Sequence, residues 1–303
     1  MARHEHTSFD PASLNPGDLH AKLLGGIAPR PIAFASTIDA DGRPNLAPFS
    51  YFNVFSAQPP VVIFSPARRL RDNTTKHTLD NVKEVAEVVI NLVDFAMVHQ
   101  CSLASSDFPE GVSEFEKTGL TPEPSDLIRP FRVAESPVQL ECKVLRVDSL
   151  GEQGGAGQLV ICEVLRMHFR KDVLNEKGHP DPQKLDLVGR CGGSSYVRAS
   201  GDALFDLPKP ISAPGIGVDA LPKEVRESSL LTGNNLAQLG ALETWPNETD
   251  VNDFKLLELS DLFIEHENNG VELERALHRY AAEQIDQGHP ERAIKALLAF
   301  NPG

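Results

Sequence analysis

Four cations crowd into nine residues of an otherwise acidic chain: Arg68, Arg69, Arg71 and Lys76, with His77 adjacent. Thr78 opens a helical pattern that runs to about Ala86, and its hydroxyl suits an N-cap. Unpaired N–H groups at a helix N-terminus, the helix dipole and clustered guanidinium and ammonium groups together make an anion site. A solvated basic loop would show the same spacing. The neighbours favour the anion: Ser65 ends a strand just upstream, and Ser36, Thr37 and Ser50 end or line others. Hydroxyls on rigid strand ends beside a cationic loop suit a phosphate ester.

Other signatures of chemistry fail. There is no GxxxxGKS/T phosphate loop and no HExxH, and Ser194 after Gly192 and Gly193 lacks the second glycine of GxSxG. Gly215 to Ala220 fits GxGxxA in form. It sits among Pro210, Pro214 and Pro222, where neither the strand nor the helix of a dinucleotide loop can form. The ten histidines show no metal-ligand spacing, so no metal is expected. Cys101, Cys142, Cys162 and Cys191 make no CxxC pair and read as buried free thiols of a reducing cytoplasm.

The elements that must carry the cationic loop are short strands. Pro31–Ile38 is apolar and β-branched, the turn at Asp39–Pro44 breaks it, and Leu46–Phe55 reads as the return strand of a hairpin. Val61–Ser65 and Val88–Val93 are further strands, Asp94–Ser105 reads as helix, and a Pro-, Glu- and Ser-rich loop runs to about Arg132. Pro137–Val147 and Gln158–Phe169 follow, joined by the glycine-rich segment Gly151–Gly157. Many short strands with few long helices between them predict a mainly β, antiparallel, closed or nearly closed barrel. A doubly wound sheet would need a helix after almost every strand.

The pattern changes near Leu207–Pro210. Residues 206–303 hold 17 acidic and 8 basic side chains, or −9 of the total −14, and leave −5 for 1–205. Leu273, Ala276, Leu277, Tyr280 and Ala281 make one helical face, and Ala293, Ile294, Leu297 and Leu298 mark a second helix beyond Gly288 and Pro290. Two domains are therefore expected, 1–205 and a helical, acidic extension at 206–303. The 303-residue chain has ordinary globular composition, 41% hydrophobic and 24% charged, which excludes disordered and disulfide-stapled classes. Its negative charge disfavours nucleic acid and anionic membrane as partners. Met1–His6 lead into no apolar stretch, so no signal peptide is read. The uncharged run Asn45–Ala67 carries four prolines and reads as soluble core rather than a membrane span.

The strings Arg30-Pro31-Ile32-Ala33, Ser36-Thr37 with Asp39 and Gly42, Asn45 through Asn53, and Pro59-Pro60 resemble the flavin reductase-like family of FMN-binding split barrels. The similarity continues through Lys76-His77-Thr78-Leu79 with Asn81, Val88 to Val93, and Val188-Gly189-Arg190 with Gly192, Gly193 and Tyr196, covering about residues 15 to 205. It implies an antiparallel split β-barrel of about six strands with flanking helices. It also implies a homodimer holding FMN noncovalently near the subunit interface. NADH or NADPH would be the co-substrate, with hydride passing to the flavin and on to an acceptor or a partner monooxygenase.

Carried over by position, Ala47, Pro48, Phe49, Ser50, Tyr51, Phe52 and Asn53 would line the isoalloxazine, mostly through backbone groups. Ser36, Thr37 and Ser65 would lie along the ribityl and phosphate path. Lys76 and Thr78 would hold the phosphate, with Arg69 nearby. Position 77 departs from the pattern, since relatives commonly have Asp where this chain has His77. The implied chemistry needs no triad, paired carboxylates or metal, so no catalytic side chain is assigned. Two other readings stay open: an FMN-binding electron carrier or sensor without nicotinamide oxidation, and a flavin-free scaffold whose tail binds a protein. FMN and FAD are not separated.

Overall fold

The computed structural model describes residues 5–109, 111–207 and 213–300. Parts of three expectations lie outside the described residues: the signal-peptide reading at 1–4, the change of character at 208–210 with the Pro210 flank of the GxGxxA string, and Glu110 of the Pro-, Glu- and Ser-rich loop. The chain divides into two compact units, Met1–Phe205 and Asp206–Gly303. Among the described residues, no helix is long and apolar enough to cross a membrane.

The first unit opens with α1 (Pro16–Gly26), whose N-cap Asn15 accepts from the Asp18 N–H. β1 (Ala33–Ile38), β2 (Pro44–Phe49), β3 (Phe52–Ala57) and β4 (Pro60–Phe64) follow, then α2 (His77–Glu84) and β5 (Glu87–Asn91). Next come α3 (Val98–Leu103), α4 (Glu114–Thr118) and the two-residue strands β6 (Pro122–Glu123) and β7 (Arg132–Val133). The long pair β8 (Val138–Ser149) and β9 (Gln158–Phe169), α5 (Pro182–Leu185), and the hairpin β10 (Val188–Arg190) and β11 (Tyr196–Arg198) complete it.

Seven strands form one antiparallel sheet in the order β2-β1-β5-β8-β9-β4-β3. β2 and β3 are thus its two outermost strands, yet only Ser50 and Tyr51 separate them in the chain. Six strand spacings in a flat sheet would put those edges about 29 Å apart. The three residue steps from Phe49 to Phe52 span at most about 11 Å. The sheet must therefore curl until its edges approach at Ser50-Tyr51, which makes a split barrel with flanking helices, as the resemblance implied. Leu46–Phe55 is accordingly not one return strand. It breaks at Ser50, and its two halves serve opposite edges, because β3 pairs with β4 while β2 pairs with β1.

Strand alternation sorts the core into two clusters. Ala33 and Ala35 meet Phe49, Phe64, Ile90 and Val160, with Leu79 and Val82 of α2 packed among them. Phe34 and Leu46 point the other way, against Met97, Cys101, Phe115 and Val188. β1 is buried along its whole length, which explains its continuous apolar run.

The expected helix over Asp94–Ser105 shrinks to Val98–Leu103, because Asp94 Oδ1 accepts from the Met97 N–H and turns the chain first. The loop expected before Arg132 contains the short helix α4. Cys101, Cys142 and Cys162 are buried free thiols, whereas Cys191 is only half-buried.

In the second unit, Thr232 and Asn235 close a reciprocal capping box on α7 (Gly233–Gly240), which follows the single turn α6 (Lys223–Arg226). Asn247 caps α8 (Glu248–Glu258), α9 (Ser260–Glu265) follows at Leu259, and Asn269 caps α10 (Gly270–Asp286). α11 (Pro290–Leu298) starts on Pro290. Ala281 and Ile285 of α10 pack against Ala293, Ile294 and Leu297 of α11 and Leu236 and Leu239 of α7. The GxGxxA string is part of this packing. The Ile216 and Gly217 N–H groups donate to the Leu242 and Gly240 carbonyls, and a Cβ at Gly215 would collide with the Gly240 carbonyl.

Candidate functional site

The cationic loop is held on both sides before any of its charges is used. At the end of β4, the Ser65 N–H donates to the Tyr51 carbonyl at 2.9 Å, and Ser65 Oγ accepts from the Gln158 N–H at 2.9 Å. The Arg68 N–H donates to the Ala156 carbonyl, and the Gly155 N–H donates back to the Arg68 carbonyl. The β8–β9 turn comes so close that a Cβ at Gly154 would lie 3.0 Å from the Arg69 carbonyl, and Gly155 adopts φ +90°. This close approach accounts for the glycine-rich segment at 151–157.

Within the loop, Arg68 is structural, since its Nε donates to Asn73 Oδ1 at 2.7 Å. Arg69 donates to Thr74 Oγ1 at 3.1 Å and to the Thr75 carbonyl. These bonds fix its guanidinium beside Arg71 and Lys76 around a cavity of about 370 Å³ that His20 and Asp107 also line. Small-molecule sites span roughly 300–1,000 Å³, so the volume suits a nucleotide-sized ligand.

A second, smaller cleft of about 60 Å³ joins the two ends of the candidate site. Ala47, Pro48 and Phe49 line it together with Arg69, Lys76 and Thr78. The first residues of α2 therefore open onto the same cleft as the edge strand β2. Lys76, not Thr78, is the N-cap residue, and among the described residues its side chain makes no capping hydrogen bond. Thr78 lies one position inside and is fully buried, where its Oγ accepts from Asn45 Nδ2 at 2.9 Å.

The other expected site residues lie around these cavities without lining them. Ser36 and Thr37 are fully buried on β1. Thr37 Oγ accepts from Asn81 Nδ2 at 3.0 Å, while Ser36 Oγ is buried with no hydrogen-bond partner among the described residues. Ser50 accepts a long 3.4 Å bond from Arg30 Nε, and Asn53 Oδ1 accepts from the Val54 N–H. Burial raises the Tyr51 phenol above its ordinary pKa, which the nearby Arg30 charge only partly opposes. Phe52 packs on the barrel-interior cluster, and Phe49 turns its ring to Phe64 at 5.5 Å, so at cleft level it offers chiefly backbone.

Three positions that bond to the elements around the cavities escaped the sequence reading. Asp107 reaches the cations from the loop after α3. Buried Glu114 accepts from the Leu46 N–H at 3.0 Å and so satisfies a donor of edge strand β2. Burial raises its carboxyl above the usual range, partly offset by that N–H. Arg30 is buried and gives its guanidinium to the carbonyls of Leu24 (2.6 Å), Ile27 and Cys191 (3.2 Å) as well as to Ser50. It thereby ties the end of α1 and the end of β10 to the Ser50-Tyr51 break. Only the Arg30-Pro31 string hinted at this, because the partners lie up to 161 residues away.

Asp126, Glu141 and His168 also converge, close enough for a metal ion. Their atoms are already committed: Glu141 accepts from the Asp126 and Leu127 N–H groups at 2.9 and 2.7 Å and lies 2.7 Å from His168 Nε2, while Asp126 pairs with Arg166. The cluster works as a latch on the 126–127 turn.

In this split barrel the edge strand β2 and the start of α2 share one cleft. The flavin reductase-like domain model matches residues 25–184, and the chain belongs to that family. Component B of nitrilotriacetate monooxygenase from Bacillus cereus is similar in structure, with TM-score 0.63, 31% identity, and 68% of this chain and 100% of that one covered. So is the 2-nitrobenzoate 2-nitroreductase of Pseudomonas fluorescens, at TM-score 0.60 and 27% identity over 69% of this chain and 100% of that one. Flavoredoxin of Desulfovibrio vulgaris matches at TM-score 0.52 and 26% identity, over 62% of this chain and 93% of that one.

Proposed function

We propose that this protein is a flavin-dependent oxidoreductase that takes hydride from NADH or NADPH onto FMN and passes the electrons to an acceptor or a partner monooxygenase. The cleft shared by Ala47–Phe49 with Arg69, Lys76 and the start of α2 carries this reading. The donor set fits a flavin mononucleotide: anchored Arg69, Lys76 and a helix N-terminus for the phosphate, and backbone of the β2 edge for the ring. When bound, the flavin supplies the hydride-accepting chemistry itself. The chain binds and orients. Arg69 and Lys76 hold the phosphate end, Arg30 fixes the Ser50-Tyr51 break, and backbone amides of 47–53 steady the charge of the reduced ring. The similarity to a monooxygenase component B supports the partner monooxygenase.

Lys76→Ala should weaken FMN by about 1.5–3 kcal/mol, the range of a charge-assisted hydrogen bond. Quenching of FMN fluorescence measures this, and an unchanged titration removes Lys76 from the phosphate site. The similarity to flavoredoxin favours a second reading, an FMN-binding electron carrier. The two separate on adding NADH or NADPH to flavin-loaded protein without oxygen: bleaching near 450 nm marks the reductase, and a retained yellow colour marks the carrier.

A homodimer belongs to the same proposal. On edge strand β3, Val54 and Phe55 stand 66% and 63% exposed, an apolar edge that a monomer would leave open to water. Phe55→Glu is expected to shift the protein from dimer to monomer in sedimentation. A dimer of undiminished stability would place the interface elsewhere.

A further inference from the structure

Three of the four cations in the 68–76 segment share one carboxylate. Asp107 Oδ1 lies 3.1 Å from Arg69 Nη2 and 3.4 Å from Lys76 Nζ, and its Oδ2 lies 2.9 Å from Arg71 Nη2. Arg69 and Lys76 are the side chains that the flavin reading gives to the phosphate, and Asp107 lines both the cavity and the adjoining cleft. Two carboxylate oxygens spread over guanidinium and ammonium groups offer the same acceptors as two oxygens of a phosphate monoester. A phosphate dianion entering this cluster meets Asp107 as a like charge at short range, so the two anions oppose each other.

The two sides of the contact differ in how firmly they are held. Arg69 is 15% exposed and bonded to Thr74 and Thr75, so it stays in place without Asp107. Asp107 is 38% exposed on the loop after α3, where its carboxylate can turn into water. Arg69 is thus the fixed part of the receptor, and the carboxylate is a movable part.

We propose, on the flavin reading above, that Asp107 is a built-in competitor for the flavin phosphate, which occupies the cations when flavin is absent and gives way when it binds. The affinity of the site is then a difference between two anions. Such a site releases its flavin readily, as a protein that hands reduced flavin to a partner requires.

The test measures dissociation constants for FMN and riboflavin by flavin fluorescence, in the full-length protein and its Asp107→Asn and Asp107→Ala variants. Exposed ion pairs contribute little each, and three together predict FMN binding roughly 5- to 20-fold tighter in both variants. The gain should appear in the FMN dissociation constant, and riboflavin, which lacks the phosphate, should change less than about twofold. Unchanged FMN affinity overturns the proposal. Weaker FMN binding overturns it too, and makes Asp107 a brace that positions the cations. Equal tightening of riboflavin shows that loop mobility rather than charge is at work, with the same consequence. If neither the wild type nor the variants bind FMN, the flavin reading itself fails, and the role of Asp107 falls with it. Circular dichroism and thermal midpoints matching the wild type establish that the variants are folded.

Discussion

FMN is expected to bind Arg69→Ala about 1.5–3 kcal/mol more weakly than the wild type, roughly a 10- to 150-fold loss. Arg69 is less exposed than Arg71 and Lys76, the other cations around the cavity, and its bonds to Thr74 Oγ1 and the Thr75 carbonyl anchor it within its own loop. A guanidinium fixed in this way is pre-organised and presents a planar fork to phosphate oxygens. The variant also releases Asp107 from one of its partners, which offsets a little of the loss, so the lower half of the range is the expected region. Isothermal titration with FMN measures the change. Riboflavin serves as the reference, and its affinity should hardly move. A loss below about twofold for FMN would mean that the phosphate lies away from Arg69.

The second large effect is on stability. Glu141→Ala is expected to destabilise the first unit by about 2–5 kcal/mol, the cost of leaving two N–H donors without their acceptor. The Glu141 carboxylate is fully buried at the start of β8, and its removal orphans the Asp126 and Leu127 N–H groups and leaves His168 without its partner. Burial alone would raise this carboxyl, but the two N–H groups and His168 outweigh it and hold it below its ordinary value near 4.5. A lowered folded pKa stabilises above the unfolded value and is lost as pH falls through the folded one. The difference between the wild type and Glu141→Gln should therefore be full near neutrality and shrink in acid below about pH 4.5. Urea unfolding at several pH values reads both effects. A cost for Glu141→Ala under about 1 kcal/mol would show that the latch contributes nothing net.

What the sequence made legible was local. β1, β4, β5, β8 and β9 lie close to where alternation and apolar runs put them, and α10 and α11 follow their spacing, because each signal is contained within its own segment. The break at Ser50-Tyr51 was not legible. Its cause is the closure of the sheet, which sets β2 beside β1 and β3 beside β4, and nothing in the residues 46–55 themselves records it.

The same holds at the site. The cluster Arg68–Lys76 could be read as a run of like charges, but its counter-charge could not, since Asp107 is 31 to 38 residues away and stands in a loop without periodic pattern. Thr78 looked like a cap because threonine before a helical pattern usually is one. In the fold its hydroxyl is needed by Asn45, and the helix starts one residue earlier. Ser36 and Thr37 were placed on the ligand path by resemblance. The structure seals Thr37 into an amide–hydroxyl network with Asn45 and Asn81, and it leaves Ser36 buried without a partner among the described residues.

A crystal structure of the protein with FMN is the most direct test of the central claim. The phosphate should lie within hydrogen-bond distance of Arg69 and Lys76 at the start of α2, with the ring against the backbone of 47–53. A phosphate bound elsewhere, or a cleft at Ala47–Phe49 closed by its own side chains, would contradict the account.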